Sequence, residues 1–331
     1  MEYNGIIEDP RTPAEKAKDY QWEEIASGDT PEIKWEEREP RKFPIFDQDG
    51  SSSCVSQATA KILGIDEVVE KREFIRLSAR DIYTRRVNNS EGMYLPNALQ
   101  IATEHGATTE ELVPSEKRNE AQMNSKENID PYTDKIAEKY KAKGYIELPK
   151  DMEIIAGVLQ QGKAVLFGFR FDMDEWTDFP NVNPNSQRKI GHGVAGVDFV
   201  LKDGKKYIVI DDSWGLAYAK QGQRYISEDF LKNRCFYVGT TINLITETTS
   251  TKPKYTFSKY MKKGDKNDDV KALQDILKYE GFFPTNIEST GLYGSITQKG
   301  VKQFQQKYLG LNNGGLQCGP KTLEALNINY S

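Results

Sequence analysis

Cysteine is scarce in this chain, with three residues in 331: Cys54, Cys235 and Cys318. They are widely spaced, odd in number and form no CxxC pair, which excludes a disulfide framework and a zinc knuckle. Histidine is scarcer still, only His105 and His192. Neither a metal nor a cofactor is expected. Basic charge is not in excess either: 45 Lys and Arg against 50 Asp and Glu leave a formal charge of -5 and a pI near 5.4. Such a surface has no field with which to hold a polyanion, so no nucleic-acid partner is expected. No uncharged apolar run reaches membrane-spanning length, and MEYNGIIEDPRTPAEK has no basic start leading into an apolar core. The expectation is a chain made in the cytoplasm without a signal peptide and without a membrane-spanning segment. What remains, 37% hydrophobic and 29% charged residues, describes a globular protein with chain enough for two domains.

Residues 1–40 are rich in Glu, Lys, Asp and Pro, as in EIKWEEREPRK, and read as an extension that lies on something or is partly mobile. From 41 to 245 the pattern is mixed. Helical periodicity occurs in ALQIATEHG (98–106) and MEIIAGVLQQG (152–162). Strand-like runs follow in AVLFGFRF (164–171), GVAGVDFV (193–200) and KYIVIDD (206–212). Helices first and strands second predict an α+β domain. Residues 246–257, within TETTSTKPKYTFS, read as a linker. Beyond it, 258–331 contains VKALQDILKYEGF, TQKGVKQFQQKYLGL and PKTLEALNI, three amphipathic helices that make a small helical domain.

Chemistry concentrates in three separated pieces of the middle domain. Cys54 stands at the end of QDGSSSC, before a run that reads as a helix; His192 lies in GHGVAGVDF; Asp212 ends a strand in IVIDDSWG. A thiol is a strong nucleophile only as a thiolate, which a helix N-terminus and an imidazolium both favour. The imidazole must be held in one orientation, which a carboxylate on its other nitrogen can do. Asp211 and Asp212 are both available, but neighbouring strand residues point to opposite faces, so only one can meet His192. An oxyanion needs donors, and the Gln48 amide with the Cys54 backbone N–H are candidates. His105, after a helix and before a turn, reads as a capping or surface residue, and Cys235 and Cys318 as core positions.

QDGSSSC, GHGVAGV and IVIDDSWG resemble, in order, the three signature blocks of the papain family of cysteine peptidases. LSARDIY and EGMYLPNALQIATEHG resemble weaker blocks between them. The resemblance implies a papain-like fold with Cys54 as nucleophile, His192 as general base and acid, and Gln48 as oxyanion donor. Asp212 would take the family's usual Asn position as orienting residue, and Trp214 would shield the His192–Asp212 pair from water. On that view Asp212→Asn should be tolerated far better than Asp212→Ala. Gly92, Met93 and Gly193 would line the substrate cleft, with Met93 in place of the family's second glycine crowding it. The cysteine that normally precedes the nucleophile is replaced by serine, in keeping with a compartment where disulfides do not form.

MKKGDKNDDVKALQDILKYEGF, TGLYGSITQKGVKQFQQ and LGLNNGGLQCGPKTLEAL resemble the small three-helix peptidoglycan-binding domain of cell-wall enzymes. Gly264, Val270, Gln274, Gly291, Tyr293, Thr297, Phe304, Gln305 and Thr322 fall in register. The fold class expected is therefore α+β, a papain-like domain followed by an all-α three-helix domain. The function implied is a cysteine peptidase acting through an acyl-thioenzyme at the bacterial cell wall, as a phage lysin or virion-associated enzyme does, on peptidoglycan or bacterial surface proteins. A general protein-processing protease and an inactive wall-binding or structural protein are the alternatives.

Overall fold

The structure is a computed structural model that describes residues 5–12, 32–69, 73–242, 252–283, 289–311 and 314–331. They fall into two units, residues 5–11 with 32–241, and residue 12 with the chain from Ile242 on.

The first unit is built on helix α1 (Cys54–Val69), which is buried along nearly its whole length. A helix buried all round must pair its polar side chains. Lys61 accordingly meets Asp211 at 2.7 Å, and Asp66 accepts the Thr241 hydroxyl at 2.6 Å. The helix begins where the Ser53 carbonyl accepts from the Gln57 N–H. Short helices α2 (Ala79–Tyr83), capped by the Ser78 hydroxyl, and α3 (Leu95–Glu104), with Pro96 in its first turn, pack beside it. Helices α4 (Glu120–Met123) and α5 (Pro131–Ala137) follow; α6 (Met152–Gln160) matches the periodicity of MEIIAGVLQQG.

The second half of the unit is a six-stranded sheet of β1 (Gly144–Glu147), β2 (Val165–Phe171), β3 (Ile190–Lys202), β4 (Lys205–Asp211), β5 (Gln223–Ser227) and β6 (Cys235–Ile242), in the order β1-β6-β2-β3-β4-β5. Strand β3 pairs antiparallel with β2 and β4, and α7 (Glu228–Arg234) leads into β6. Strand β3 starts earlier than its apolar run suggests, which puts His192 inside it, opposite Phe169. Strand β4 ends at Asp211, one residue before Asp212.

Glycines set the distance between helix and sheet. A Cβ on Gly193 would come within 2.8 Å of Val55 Cγ2. Only a glycine lets the first turn of α1 lie this close to β3. Residues 32–41 lie along the sheet: Trp35 meets Phe199 edge-on at 5.2 Å, and Arg38 forks onto Asp198 at 2.6 and 2.8 Å. This end of the acidic extension thus rests on the domain, whereas 13–31 lie outside the described residues.

In the second unit helix α8 (Asp268–Tyr279) is capped by Asn267, α9 (Ser295–Leu309) ends on Gly310 in the left-handed conformation, and α10 (Pro320–Tyr330) closes the chain. A two-stranded ribbon, β7 (Met261–Lys262) with β8 (Gln317–Cys318), joins them. Val270, Leu273, Leu277, Val301 and Phe304, whose spacing is that of a helical core, are buried together with Leu326. The two buried glutamines act alike. Gln274 donates to the Leu292 carbonyl and Thr297, and Gln305 donates to the Gln317 carbonyl and Thr322. Of the stretch read as linker, 246–251 lie outside the described residues. Its later part is packed: Phe257 is buried and exchanges hydrogen bonds with Asn327, and Tyr255 donates its N–H to the Tyr330 carbonyl. These two aromatics anchor the end of that stretch to the helical unit, an outcome the polar composition around them conceals.

Candidate active site

Cys54 is the first residue of α1, so its N–H has no acceptor within the helix. No carboxylate stands in the first turn to compete for the positive end of the helix dipole. The sulfur is buried and in no disulfide, and the Gly193 N–H donates to it at 3.3 Å. Cys235 and Cys318 are also buried, and burial pushes both thiols up to about 12. Of the three, Cys54 alone sits among groups that favour an anion.

His192, on β3, links the sulfur to Asp212. Its Nε2 lies 2.7 Å from Asp212 Oδ1, and the ring also hydrogen-bonds the Cys54 thiol. Burial opposes a charge on the ring, but Asp212 and then Cys54 outweigh it, so its pKa is raised to about 9. Asp212 is equally buried, yet His192 and Arg224 hold its carboxyl down at about 2. Imidazolium and carboxylate thus form a buried charged pair beside the sulfur.

Asp212 Oδ2 accepts from Arg224 Nε at 2.8 Å and from Trp176 Nε1 at 2.9 Å. Arg224 is itself fixed by a 2.7 Å bond to the Trp176 carbonyl. Asp211, the other aspartate, turns away and pairs with Lys61 and Gln223. The alternation between adjacent residues therefore separates their partners as expected. Trp214 stacks at 4.7 Å from the imidazole with a 30° tilt, and Trp176 meets it edge-on at 5.9 Å. Both rings pack against the imidazole, and His192 and Asp212 are buried.

Gln48 is buried and bound on both sides of its amide: Ser213 Oγ donates to Oε1 at 2.6 Å, and Nε2 donates to the Ser51 carbonyl at 2.7 Å. The first bond ties the Gln48 loop to the Asp212–Trp214 segment, and the Gln48 N–H bonds the Ser213 carbonyl as well. Beside Trp214 a cavity of about 880 Å³ opens between Asp47, Asp49, Trp176, Phe179 and Tyr218. His105 caps α3, 3.6 Å from Asp81 and distant in role from this chemistry.

On the other side of Cys54 the cleft is filled by the chain itself. Residues 5–7 lie alongside Gly92 and Met93: the Met93 N–H donates to the Gly5 carbonyl at 3.0 Å and the Ile7 N–H to the Met93 carbonyl at 3.2 Å, a parallel pairing. A Cβ built on Gly5 would overlap the Cys54 sulfur. Met93 stands on this side, at the position expected to crowd the cleft. Its side chain is buried with the core, and its backbone is the edge on which an extended strand docks. Gly92, at φ 81°, is held by the Tyr83 hydroxyl. Gly193 serves packing and the sulfur.

Sequence reasoning brings Cys54, His192, Asp212, Gln48 and Trp214 to one place, and misses Trp176, Arg224 and the occupied cleft. Arg224 stands opposite Ile210 in the β4–β5 hairpin, a register that the sequence could have suggested. Trp176 lies in a turn with no spacing rule to connect it to Asp212.

The model of the papain family cysteine proteases matches residues 31–240, and that of a peptidoglycan binding domain matches 266–326. Chymopapain of Carica papaya is 26% identical over 187 residues, 54% of this chain, and the chain spans about half of chymopapain's length. Among solved structures, xylellain, a cysteine protease from Xylella fastidiosa, superposes with a TM-score of 0.54 at 19% identity over 65% of this chain and 94% of that one. The proform of the ragweed pollen cysteine protease Amb a 11 gives 0.50 at 17% identity over 61% and 62%. These two likenesses show the fold. With a matched model over most of its length, the chain belongs to the papain family of cysteine proteases, a papain-like peptidase domain followed by a peptidoglycan-binding domain.

Proposed function

We propose that this chain is a lysin-like cysteine peptidase that cleaves peptide or amide bonds in or on the bacterial cell wall, to which residues 258–331 hold it. The observation that carries the chemistry is the buried Cys54–His192–Asp212 chain, with the ring's pKa raised to about 9. Cys54 as thiolate attacks the scissile carbonyl carbon, forming a C–S bond and moving the π electrons onto oxygen. The Cys54 N–H and the second N–H of Gln48 Nε2, whose first is held by Ser51, are the oxyanion donors. His192 gives its proton to the leaving nitrogen as the C–N bond breaks, then takes one from the water that hydrolyses the thioester. Asp212 keeps the ring charged and oriented throughout, and Trp214 with Trp176 keeps water off that bond.

The leaving group departs on the Trp214 side and the acyl part lies along Met93, where residues 5–7 must first withdraw. The glutamines Gln274 and Gln305 support the three-helix unit from inside, so wall contact falls to its surface. The test is mass spectrometry of soluble fragments released from purified sacculi by wild type and by Cys54→Ala. New amino termini released by wild type alone support the reading. Sacculi left intact while surface proteins are cut would favour a general processing protease. No labelling of Cys54 by a thiol-directed epoxide in either setting would favour an inactive wall-binding protein.

A further inference from the structure

Residues 5–8 show what the acyl side of the cleft accepts. Ile6 is buried next to Gly191, where an added Cβ would touch Ile6 Cβ at 3.4 Å. Two residues on, the Glu8 carboxylate meets Arg170 at 2.8 Å. These groups line a cavity of about 390 Å³ together with Arg188 and Lys189, so three cations face one carboxylate. The Arg170 guanidinium lies 5.4 Å from the ring centre of Phe236, which holds a long side chain ready for a partner. Asp172, whose oxygens accept the Gln187 and Lys189 backbone N–H groups, is the other carboxylate nearby and draws on Lys189. Arg170 is left to Glu8.

The direction of the segment matters. From Cys54 to Arg170 it runs N to C, whereas a substrate whose amine leaves toward Trp214 runs C to N along the same path. Residues 5–8 therefore match the cleft by side chain, not as a chain presented for cutting. We propose that Arg170, flanked by Arg188 and Lys189, is a specificity site for a carboxylate side chain two residues N-terminal to the one that fills the Ile6 position. Acidic peptides are then the substrate class, and Glu8 occupies their place until they arrive. This rests on the peptidase reading above.

The test compares kcat/KM of the full chain for Glu-Ala-Ile-Gly, Gln-Ala-Ile-Gly and Lys-Ala-Ile-Gly fluorogenic amides. Occupancy of the cleft by residues 5–8 slows all three alike and cancels in their ratio. An exposed pair contributes up to about 1 kcal/mol, so the Glu substrate should exceed the Gln substrate ~5-fold, less in high salt. Arg170→Glu should invert the order in favour of Lys, and Arg170→Gln should level it. A ratio near one in wild type, or one unmoved by both variants, overturns the proposal. A second readout needs no turnover: iodoacetamide alkylation of Cys54 should quicken in Glu8→Lys and return to the wild-type rate in Glu8→Lys with Arg170→Glu. If that swap restores the rate while no peptide is cut, the carboxylate site stands and the peptidase reading fails. If peptides are cut without preference, the reverse holds. Competition by muropeptides bearing free carboxylates, or by acidic peptides of protein sequence, identifies the source of the carboxylate, and competition by neither overturns the site.

Discussion

Asp212→Asn keeps the shape of the side chain while removing its charge and one of its acceptors. In the structure the carboxylate faces only donors: His192 on Oδ1, Arg224 and Trp176 on Oδ2. An amide has one oxygen, so its NH₂ must face either the imidazole N–H or the Arg224–Trp176 pair. The family's usual Asn implies that this change is tolerated better than Asp212→Ala, but the donors around the carboxylate predict a substantial loss even so. With the amide oxygen on His192, the Arg224 guanidinium stays buried without its counter-charge, which costs roughly 3–5 kcal/mol. The ring loses the charge that outweighs its burial and falls from about 9 to its ordinary 6.5 or below. At about 1.4 kcal/mol per pH unit the wild-type environment favours the charged ring by about 3 kcal/mol. Because the folded value is the raised one, that stabilisation is fully present below 6.5 and lost as pH climbs through about 9. For Asp212, whose value is depressed, it is present above 3.8 and lost as pH falls through about 2. The assay is kcat/KM against pH on a small peptide, where the imidazolium sets the alkaline limb. Wild type should turn down near 9 and Asp212→Asn at or below 6.5, so that at pH 8 the variant loses about 30-fold or more. Its thermal midpoint at pH 6 should also fall. An alkaline limb still near 9, or an unchanged midpoint, refutes the reasoning.

Cys54→Ala should abolish turnover and thiol labelling together, while Cys235→Ala and Cys318→Ala leave both in place; residual turnover in Cys54→Ala, followed with any cleaved peptide, would sink the nucleophile assignment. Gly5→Val puts a methyl-bearing carbon where the sulfur lies, so residues 5–7 should be expelled and Cys54 alkylated several-fold faster, an effect absent if the segment already leaves freely. Gln305→Leu strands the Gln317 carbonyl and the Thr322 hydroxyl, and should lower the stability of the helical unit by about 1–3 kcal/mol in a denaturant titration. A fragment of residues 252–331, which keeps Tyr255 and Phe257, should co-sediment with purified sacculi, and removing it should depress activity on walls but not on soluble peptides. A fragment that stays in the supernatant would reassign it to docking or assembly.

The catalytic chain was legible because each of its members sits at the end of a regular element that the sequence announces. Serines and a glycine before an apolar run mark the start of α1, and with it Cys54. Alternation in GVAGVDFV marks β3, though not its early start, because Ile190–His192 are too few and too mixed to extend the pattern. Strand alternation says that only one of Asp211 and Asp212 can meet His192, and the place before SWG, through the family resemblance, points to Asp212. Arg224 was missed: the β4–β5 register could have placed it, but its hold on Asp212 also depends on the Trp176 carbonyl, which leaves no trace in local spacing.

The occupied cleft was hidden for a different reason. NGIIEDPR carries two isoleucines amid charge and a proline, too few apolar positions to predict burial in a segment with no core of its own. Its burial is supplied by the domain: Met93 offers a backbone edge, Gly191 leaves room for Ile6, and Arg170 offers a charge for Glu8. Only the absence of a side chain at Gly5 allows the chain to cross the sulfur. The same economy explains Asp212. A carboxylate in a buried site would ordinarily rise and neutralise, yet it stays charged because Arg224 supplies a second cation from the neighbouring strand. In both places a local rule is overridden by a partner distant in sequence, and both partners, Arg170 and Arg224, are arginines. Their forked, permanently charged guanidinium can bind a carboxylate while still bonding or stacking on an aromatic neighbour, Phe236 in one case and Trp176 in the other. A lysine in either position would keep the charge and lose that second hold, so Arg224→Lys should loosen Trp176 and the His192–Asp212 bond it shields even though the net charge is unchanged.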